Sequence, residues 1–273
     1  MGNALAQGGS TYASDDDPEL VRDASPFALK TIEGLLDASP RHKGLLLAAA
    51  KGFTQYAYGF VEQEADFVEA QDLARATLLR DRARKLYKRA LGYGLRGLEV
   101  DLPGFRDGLR TDADGVLAKT RKEHVPLLYW TANAWGAAIA ISKSDSELTA
   151  DQRIAEAIMR RALALDEGFE RGSIHDFFVS YEGGRASVGG SVSKARKHLD
   201  RALTLANGHR AAPLVAFAET ASVGGQDGAE FERLLTQALA VDPDAVPEYR
   251  LSNLIYQKRA RWLLARRDDL FVE

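Results

Sequence analysis

Hydrophobic positions recur along this chain with the spacing of amphipathic helices. Phe231, Leu234, Leu235, Ala238 and Leu239 follow one another at i, i+3, i+4, i+7 and i+8, which places them on one face of a helix. The chain has no comparable set of alternating apolar and polar positions. The pattern therefore predicts helices and no sheet.

An alanine followed by a leucine, near the end of a predicted helix, recurs at a nearly regular interval. The alanines are Ala90, Ala162, Ala202 and Ala238, and the intervals between them are 72, 40 and 36 residues. Two-helix repeats of the TPR type have a period of ~34 residues, and each hairpin shares its apolar face with the next. We therefore predict an all-α fold, a TPR-like array of stacked antiparallel helical hairpins. We expect a single domain over residues 1–273, with residues 1–17 as a flexible N-terminal segment.

Proline and glycine predict where individual helices begin and end. Pro26 is expected to open the second of two short helices within residues 18–38, because proline fits the first turn of a helix. Gly92, Gly94 and Gly97 match the pattern G-x-G-x-x-G. They follow a basic amphipathic stretch rather than a strand, so they predict a helix end and a turn rather than a dinucleotide site.

The composition excludes several classes of site. There is no cysteine, so disulfides, cysteine–zinc sites and thiol nucleophiles are excluded. A net charge of −3 argues against nucleic-acid binding. The five histidines lack metal-binding spacing, and residues 112–115 resemble an EF-hand loop only in part, which favours a helix-capping loop. We expect no catalytic residue, no metal site and no cofactor.

The most apolar segment of the chain carries the first group of candidate binding residues. Residues 127–141 are too short for the ~20 residues of a membrane span, so they predict a central, buried helix. On this helix lie Tyr129, Trp130, Asn133 and Trp135. A buried amide such as that of Asn133 requires hydrogen-bond partners.

A second aromatic segment contributes Phe177, Phe178 and Tyr181. Two interpretations of the combined seven residues stay open: a large aromatic core, or an apolar pocket with one amide as its polar handle. His175 and Asp176 precede this segment, but neighbouring helical residues point about 100° apart. Adjacency alone therefore does not make them a catalytic dyad.

Several stretches, taken in their order and spacing, resemble a known protein family. The matching stretches are 15–24, 26–30, 52–58, 126–130, 134–136, 173–178 and 238–243. They resemble the T component of TRAP (tripartite ATP-independent periplasmic) transporters, and the resemblance covers nearly the whole chain.

This resemblance implies a bacterial periplasmic lipoprotein that is held at the membrane only through an N-terminal lipidated cysteine. Because the printed sequence has no cysteine, that anchor is expected outside it. The resemblance also implies a TPR-like protomer that assembles as a homotrimer. Its partner would be a TRAP solute-binding (P) component, and an apolar ligand would pass through it without chemistry.

Two other functions stay open from the residues. A general TPR adaptor would bind peptides on the concave face of its hairpins. A carrier of an apolar small molecule would use the aromatic residues as the wall of its pocket.

Overall fold

The computed structural model of this protein describes residues 9–142 and 145–272, and at residues 9, 10 and 187 the backbone alone. The described residues form helices joined by turns and loops, with no strand among them. The predicted all-α fold is therefore confirmed. Residues 1–8 of the predicted flexible segment lie outside the described part, and Gly9–Ala13 form a short helix.

The described chain divides into two compact units. One unit comprises Glu19–Glu167, and the other combines Ser10–Pro18 with residues 168–272. The prediction of one domain over residues 1–273 concerns both units together and stays a prediction.

The helices up to residue 167 include two long amphipathic ones and a central apolar one. Their bounds are α1 (Gly9–Ala13), α2 (Pro18–Ala38), α3 (Lys43–Tyr56), α4 (Gln63–Val68), α5 (Leu73–Asp101), α6 (Phe105–Thr111), α7 (Ala113–Ala118), α8 (Val125–Ala140), α9 (Ser146–Ala150) and α10 (Gln152–Leu165). A π-helical turn, Ala57–Glu62, joins α3 to α4. A 3₁₀ turn, Lys122–His124, leads into α8.

The second unit is a succession of shorter helices. Their bounds are α11 (Ser173–Gly183), α12 (Val192–Leu205), α13 (Ala212–Phe217), α14 (Gly228–Leu239), α15 (Arg250–Ala265) and α16 (Arg267–Leu270). A tight turn, Phe169–Arg171, precedes α11, and 3₁₀ turns precede α12 and α15. A π-helical turn, Ala218–Ser222, continues α13.

Within each unit, the main contacts join the longer helices to one another, in several cases across the short helices between them in the sequence. In the first unit α8 lies against α3, α5 and α10, and in the second α13 lies against α11, α12, α14 and α15. The four repeat alanines, Ala90, Ala162, Ala202 and Ala238, have no exposed surface. Small side chains at these positions let helices approach closely, as stacked hairpins require. The TPR-like character of the repeat stays a prediction.

The glycine motif lies inside a helix, so the prediction of a helix end there was wrong. The helix α5 continues through Gly92, Gly94 and Gly97 to Asp101. A methyl group on Gly94 would lie 2.2 Å from Oγ1 of Thr131, and one on Gly97 would lie 2.5 Å from Cδ2 of a leucine on α8. Gly94 and Gly97 therefore let α5 and α8 approach closely, and this contact outweighs the low helix propensity of glycine.

Pro26 lies within a single helix, α2, so the prediction of two short helices was also wrong. The inward-facing residues on both sides of it, Val21, Leu29 and Leu36, are buried. A break at Pro26 would expose one part of this apolar face, whose burial offsets the cost of roughly 3 kcal/mol for a proline inside a helix. The hydroxyl of Ser25 donates to the carbonyl of Val21 at 2.6 Å, which satisfies one backbone group near the proline.

Two buried amides of α15 bind the ends of its neighbours. Oδ1 of Asn253 accepts the backbone N–H of Ala211 at 3.0 Å, and its Nδ2 donates to the carbonyl of His209 at 2.9 Å. Nε2 of Gln257 donates to the carbonyl of Val241 at 2.7 Å, just beyond the end of α14. These bonds satisfy backbone groups that a helix end leaves without partners, so α15 completes the second unit.

Two further points complete the fold. Oδ1 of Asp112 accepts the backbone N–H of Gly115 at 3.0 Å, so the EF-hand-like segment caps α7 as predicted. No helix in the described part of the chain is both long and apolar enough to cross a membrane.

The contact between α5 and α8 gives a matched pair of substitutions. Gly94→Ala should lower the free energy of unfolding by about 1–3 kcal/mol, because the added methyl group overlaps Thr131. Gly92→Ala should raise it by up to about 1 kcal/mol, because nothing lies within 4 Å of an added methyl group there and alanine favours helix. Urea denaturation measures both, and equal effects of the two substitutions would contradict this account of the glycine motif.

Candidate functional site

The candidate residues on α8 lie largely within the first unit. Tyr129, Trp130 and Trp135 have exposed fractions of 8, 7 and 4 %. The ring of Tyr129 meets that of Trp130 edge-on at 4.9 Å, and Nζ of Lys51 lies 5.5 Å from the Trp130 ring. This geometry suits an aromatic core beside one cation. Ligand binding by these rings stays a prediction.

Three polar side chains of α8 lie on the same helix as its aromatic residues. Asn133 is half-buried, and its Nδ2 donates to the carbonyl of Tyr129 at 3.0 Å. Nε1 of Trp135 and Oγ1 of Thr131 are buried without a hydrogen-bond partner among the described residues. Thr131 was missed from the sequence, although a hydroxyl one turn before Trp135 in an apolar helix is a recognisable signal. Buried polar groups normally have partners, but the Thr131 hydroxyl lies where not even a methyl group on Gly94 would fit, so close packing of α5 against α8 accounts for it.

The candidate residues on α11 differ in accessibility. Phe178 has no exposed surface, whereas Phe177 and Tyr181 are half-buried. The rings of Phe177 and Tyr181 are stacked, with centroids 5.7 Å apart and planes at 14°. These three residues belong to the second unit and the four on α8 belong to the first. The structure therefore groups the seven candidates into two sets.

Arg185 extends the stacked pair and was also missed from the sequence. Its guanidinium lies 4.6 Å from the ring centroid of Tyr181, a favourable cation–π distance. Arg185 has no carboxylate partner in the described part of the chain. Its position two residues past the end of α11 was the available signal, because it continues the helix face of Phe177 and Tyr181.

His175 and Asp176 bind different partners, as the helical geometry predicted. Nδ1 of His175 lies 2.8 Å from Nδ1 of His198 on α12. The carboxylate of Asp176 accepts two hydrogen bonds from Arg210, just before α13, and the longer is 3.3 Å. These pairs connect α11 to its neighbours in the second unit.

Burial governs the charge of Asp176. It raises the pKa of Asp176 to about 6, although the positive charge and the hydrogen bonds of Arg210 act in the opposite direction, and Glu170 adds to the rise. The guanidinium of Arg210 also lies 5.7 Å from the ring of Tyr249. Burial raises the pKa of Tyr249 as well, against the nearby Arg210 and Arg171.

No metal centre accompanies these residues in the described chain, and one small cleft lies apart from them. No group of three or more potential metal ligands occurs among the described residues. A small cleft of about 180 Å³ lies at the end of α5, between Asp101, Phe105, Val116 and Lys119. It contains none of the seven candidate residues. The Lys43 ammonium group lowers the pKa of Asp101 there, with a smaller contribution from His124.

Comparison with known proteins identifies the family. Residues 14–271 match the family described as "TRAP transporter T-component". The chain belongs to this family. The T component is an accessory component of a transport system that works in the periplasmic and membrane context. The resemblance inferred from the sequence is therefore confirmed.

One relative of the T component comes from Treponema pallidum (strain Nichols). It is 30 % identical over 267 residues, which cover 96 % of this chain and 83 % of the relative. It is named "Uncharacterized protein", so it shows a similar sequence and indicates no activity for either protein.

Substitution of Trp135 separates a core residue from the wall of a pocket. Trp135→Ala should lower the free energy of unfolding by about 3–5 kcal/mol, because a large buried ring is removed. Trp135→Phe should cost clearly less, because it keeps most of the ring and removes an N–H group without a partner. Urea denaturation measures both changes. A loss below about 1 kcal/mol for Trp135→Ala would contradict a core position.

The raised pKa of Asp176 predicts a pH dependence of stability. Its ordinary value is about 3.9, so the folded protein binds this proton more tightly than the unfolded chain. The contribution of Asp176 to stability is then largest below about pH 4 and is lost as the pH rises through about 6. We expect the unfolding free energy of the wild type, relative to Asp176→Asn, to fall by on the order of 2–3 kcal/mol across that window. A rise of this difference in a series of urea titrations would contradict the assignment.

Proposed function

We propose that this T component is a non-enzymatic helical scaffold that binds the periplasmic solute-binding protein of its TRAP system and passes an apolar ligand. The observation that carries the proposal is the match to the T-component family over residues 14–271. A transport accessory component needs contacts with other components of its system. The proposal assigns binding, and no chemistry, to the chain.

The described helices offer suitable contact residues for a protein partner. Phe177 and Tyr181 form a stacked, half-buried pair next to Arg185. Tyrosine and arginine are over-represented among the residues that dominate binding energy at protein interfaces. The pair lies on a helix rather than on a loop, so little conformational freedom is lost on binding. These features support a protein partner for the second unit.

The ligand part of the proposal rests on α8. Its aromatic rings are apolar, and Asn133 and Trp135 add polar atoms beside them. An apolar molecule with one hydrogen-bonding group would match this combination. A carrier of an apolar small molecule is thus part of the same proposal rather than a separate function.

The assembly and location follow the family resemblance. We extend the proposal to a homotrimer in the periplasm, held at the membrane by an N-terminal lipid anchor. Light scattering on the purified protein measures the oligomeric state, for which the proposal expects three protomers.

The partner proposal is tested with the TRAP solute-binding protein encoded in the same genome. Immobilised T component should bind it with a micromolar or tighter Kd in biolayer interferometry, a strength typical of specific protein pairs. A solute-binding protein from an unrelated transporter class serves as the control and should not bind. Equal binding of both proteins, or of neither, would contradict the proposal.

The same instrument separates the scaffold from a general peptide adaptor. A peptide adaptor would retain affinity for the isolated C-terminal peptide of the solute-binding protein. The proposed scaffold binds the folded partner and loses affinity when only that peptide is offered.

A further inference from the structure

The stretch between α11 and the middle of α12 has an unusual charge pattern. Residues 183–199 contain four cations, Arg185, Lys194, Arg196 and Lys197, and no acidic residue, in a chain whose net charge is −3. Only Arg196 has a carboxylate partner among the described residues, Glu230 on α14. Three cations therefore keep their charge available at the surface.

The position of two of these cations does not stabilise their helix. Lys194 and Lys197 are exposed near the N-terminal end of α12, which has no acidic residue in its first turn. The helix dipole favours negative charge at this end and disfavours positive charge. Neither a favourable dipole interaction nor an internal ion pair uses the charge of these lysines, so this charge is available to a partner.

Exposed apolar side chains lie in the same stretch of the chain as these cations. Val188 and Val192 are 69 % and 41 % exposed. Among the described residues of the second unit, the other large exposed hydrophobic residue is Val272, at the far end of the chain. Exposed hydrophobic residues concentrated in one stretch and rimmed by charge are a mark of interaction sites.

The backbone holds this stretch in one shape. Gly189 has a φ of +108°, a backbone conformation that glycine adopts without steric cost. A methyl group on Gly190 would lie 2.3 Å from the carbonyl oxygen of Glu182. The loop therefore packs closely against the end of α11, and the backbone N–H groups of Val188 and Gly190 both donate to the carbonyl of Arg185, at 2.8 and 2.7 Å.

From these observations we infer that Tyr181, Arg185, Val188, Val192, Lys194 and Lys197 form a docking surface for an acidic partner protein, a solute-binding protein whose carboxylates surround a small apolar area. We call these six residues the basic surface. The inference rests on the proposed function, because it names where the partner binds. Charge complementarity favours this occupant: cations without carboxylate partners lie in the same stretch as exposed apolar side chains, and charges around an apolar area steer and align protein pairs.

The test compares two variants with the same change in charge. Lys194→Glu/Lys197→Glu alters the basic surface, and Lys258→Glu/Arg261→Glu alters exposed positions on α15 of the same unit. The first variant should remain folded, because glutamate near the start of α12 is favoured by the helix dipole. Thermal denaturation checks that both variants melt near the wild-type temperature.

Binding of the TRAP solute-binding protein from the same genome is then measured by biolayer interferometry. The basic-surface variant should raise the Kd roughly tenfold or more and flatten its dependence on salt, because like charges would face each other. The α15 variant should bind within about threefold of the wild type. Val188→Asp should also weaken binding, because it places a carboxylate in the apolar part of the surface.

The possible results distinguish a failure of the basic surface from a failure of the proposed function. If the wild type binds and both charge variants bind equally well, or lose affinity equally, the surface is overturned while the proposed function stands. If the wild type does not bind, both are overturned. If light scattering shows that the basic-surface variant changes oligomeric state, the surface joins copies of this chain and the inference is overturned.

Discussion

Close contact between helix backbones at small residues is the constraint on which both units depend. Ala90 and Ala162 in the first unit, and Ala202 and Ala238 in the second, have no exposed surface. Gly94 lies so close to α8 that a methyl group does not fit. Short distances of this kind let many weak dispersion contacts form along each helix pair. The position of the aromatic helix α8 follows directly from this packing.

Buried polar groups are the second determinant of the second unit, because they join its helices at defined positions. The pairs His175–His198 and Asp176–Arg210 join α11 to the elements on either side of it. A buried charge pair requires good geometry to offset its desolvation, so these contacts fix the position of α11. The accessible face of that helix is consequently well placed to present Tyr181 to a partner of the transport system.

The sequence predicted the helical class and the buried position of α8, because both follow from periodicity and apolar content. It failed at Pro26 and at Gly94, where tertiary burial outweighs local propensity. It also identified the aromatic candidate residues, but it did not predict which of them are exposed to solvent. Whether Phe177 faces outwards depends on which helices cover the other side of α11. The unpaired state of Arg185 depends on distances to carboxylates, which no sequence pattern contains.

The central claim is that this T component meets an acidic partner through one defined surface of its second unit. Zero-length carbodiimide cross-linking of the complex with the solute-binding protein, followed by mass spectrometry, tests it most directly, since that reagent joins only a lysine and a carboxylate in contact. The account predicts that Lys194 and Lys197 become joined to aspartate or glutamate residues of the partner. Cross-links that arise only from lysines of the first unit, such as Lys30 or Lys85, would contradict it.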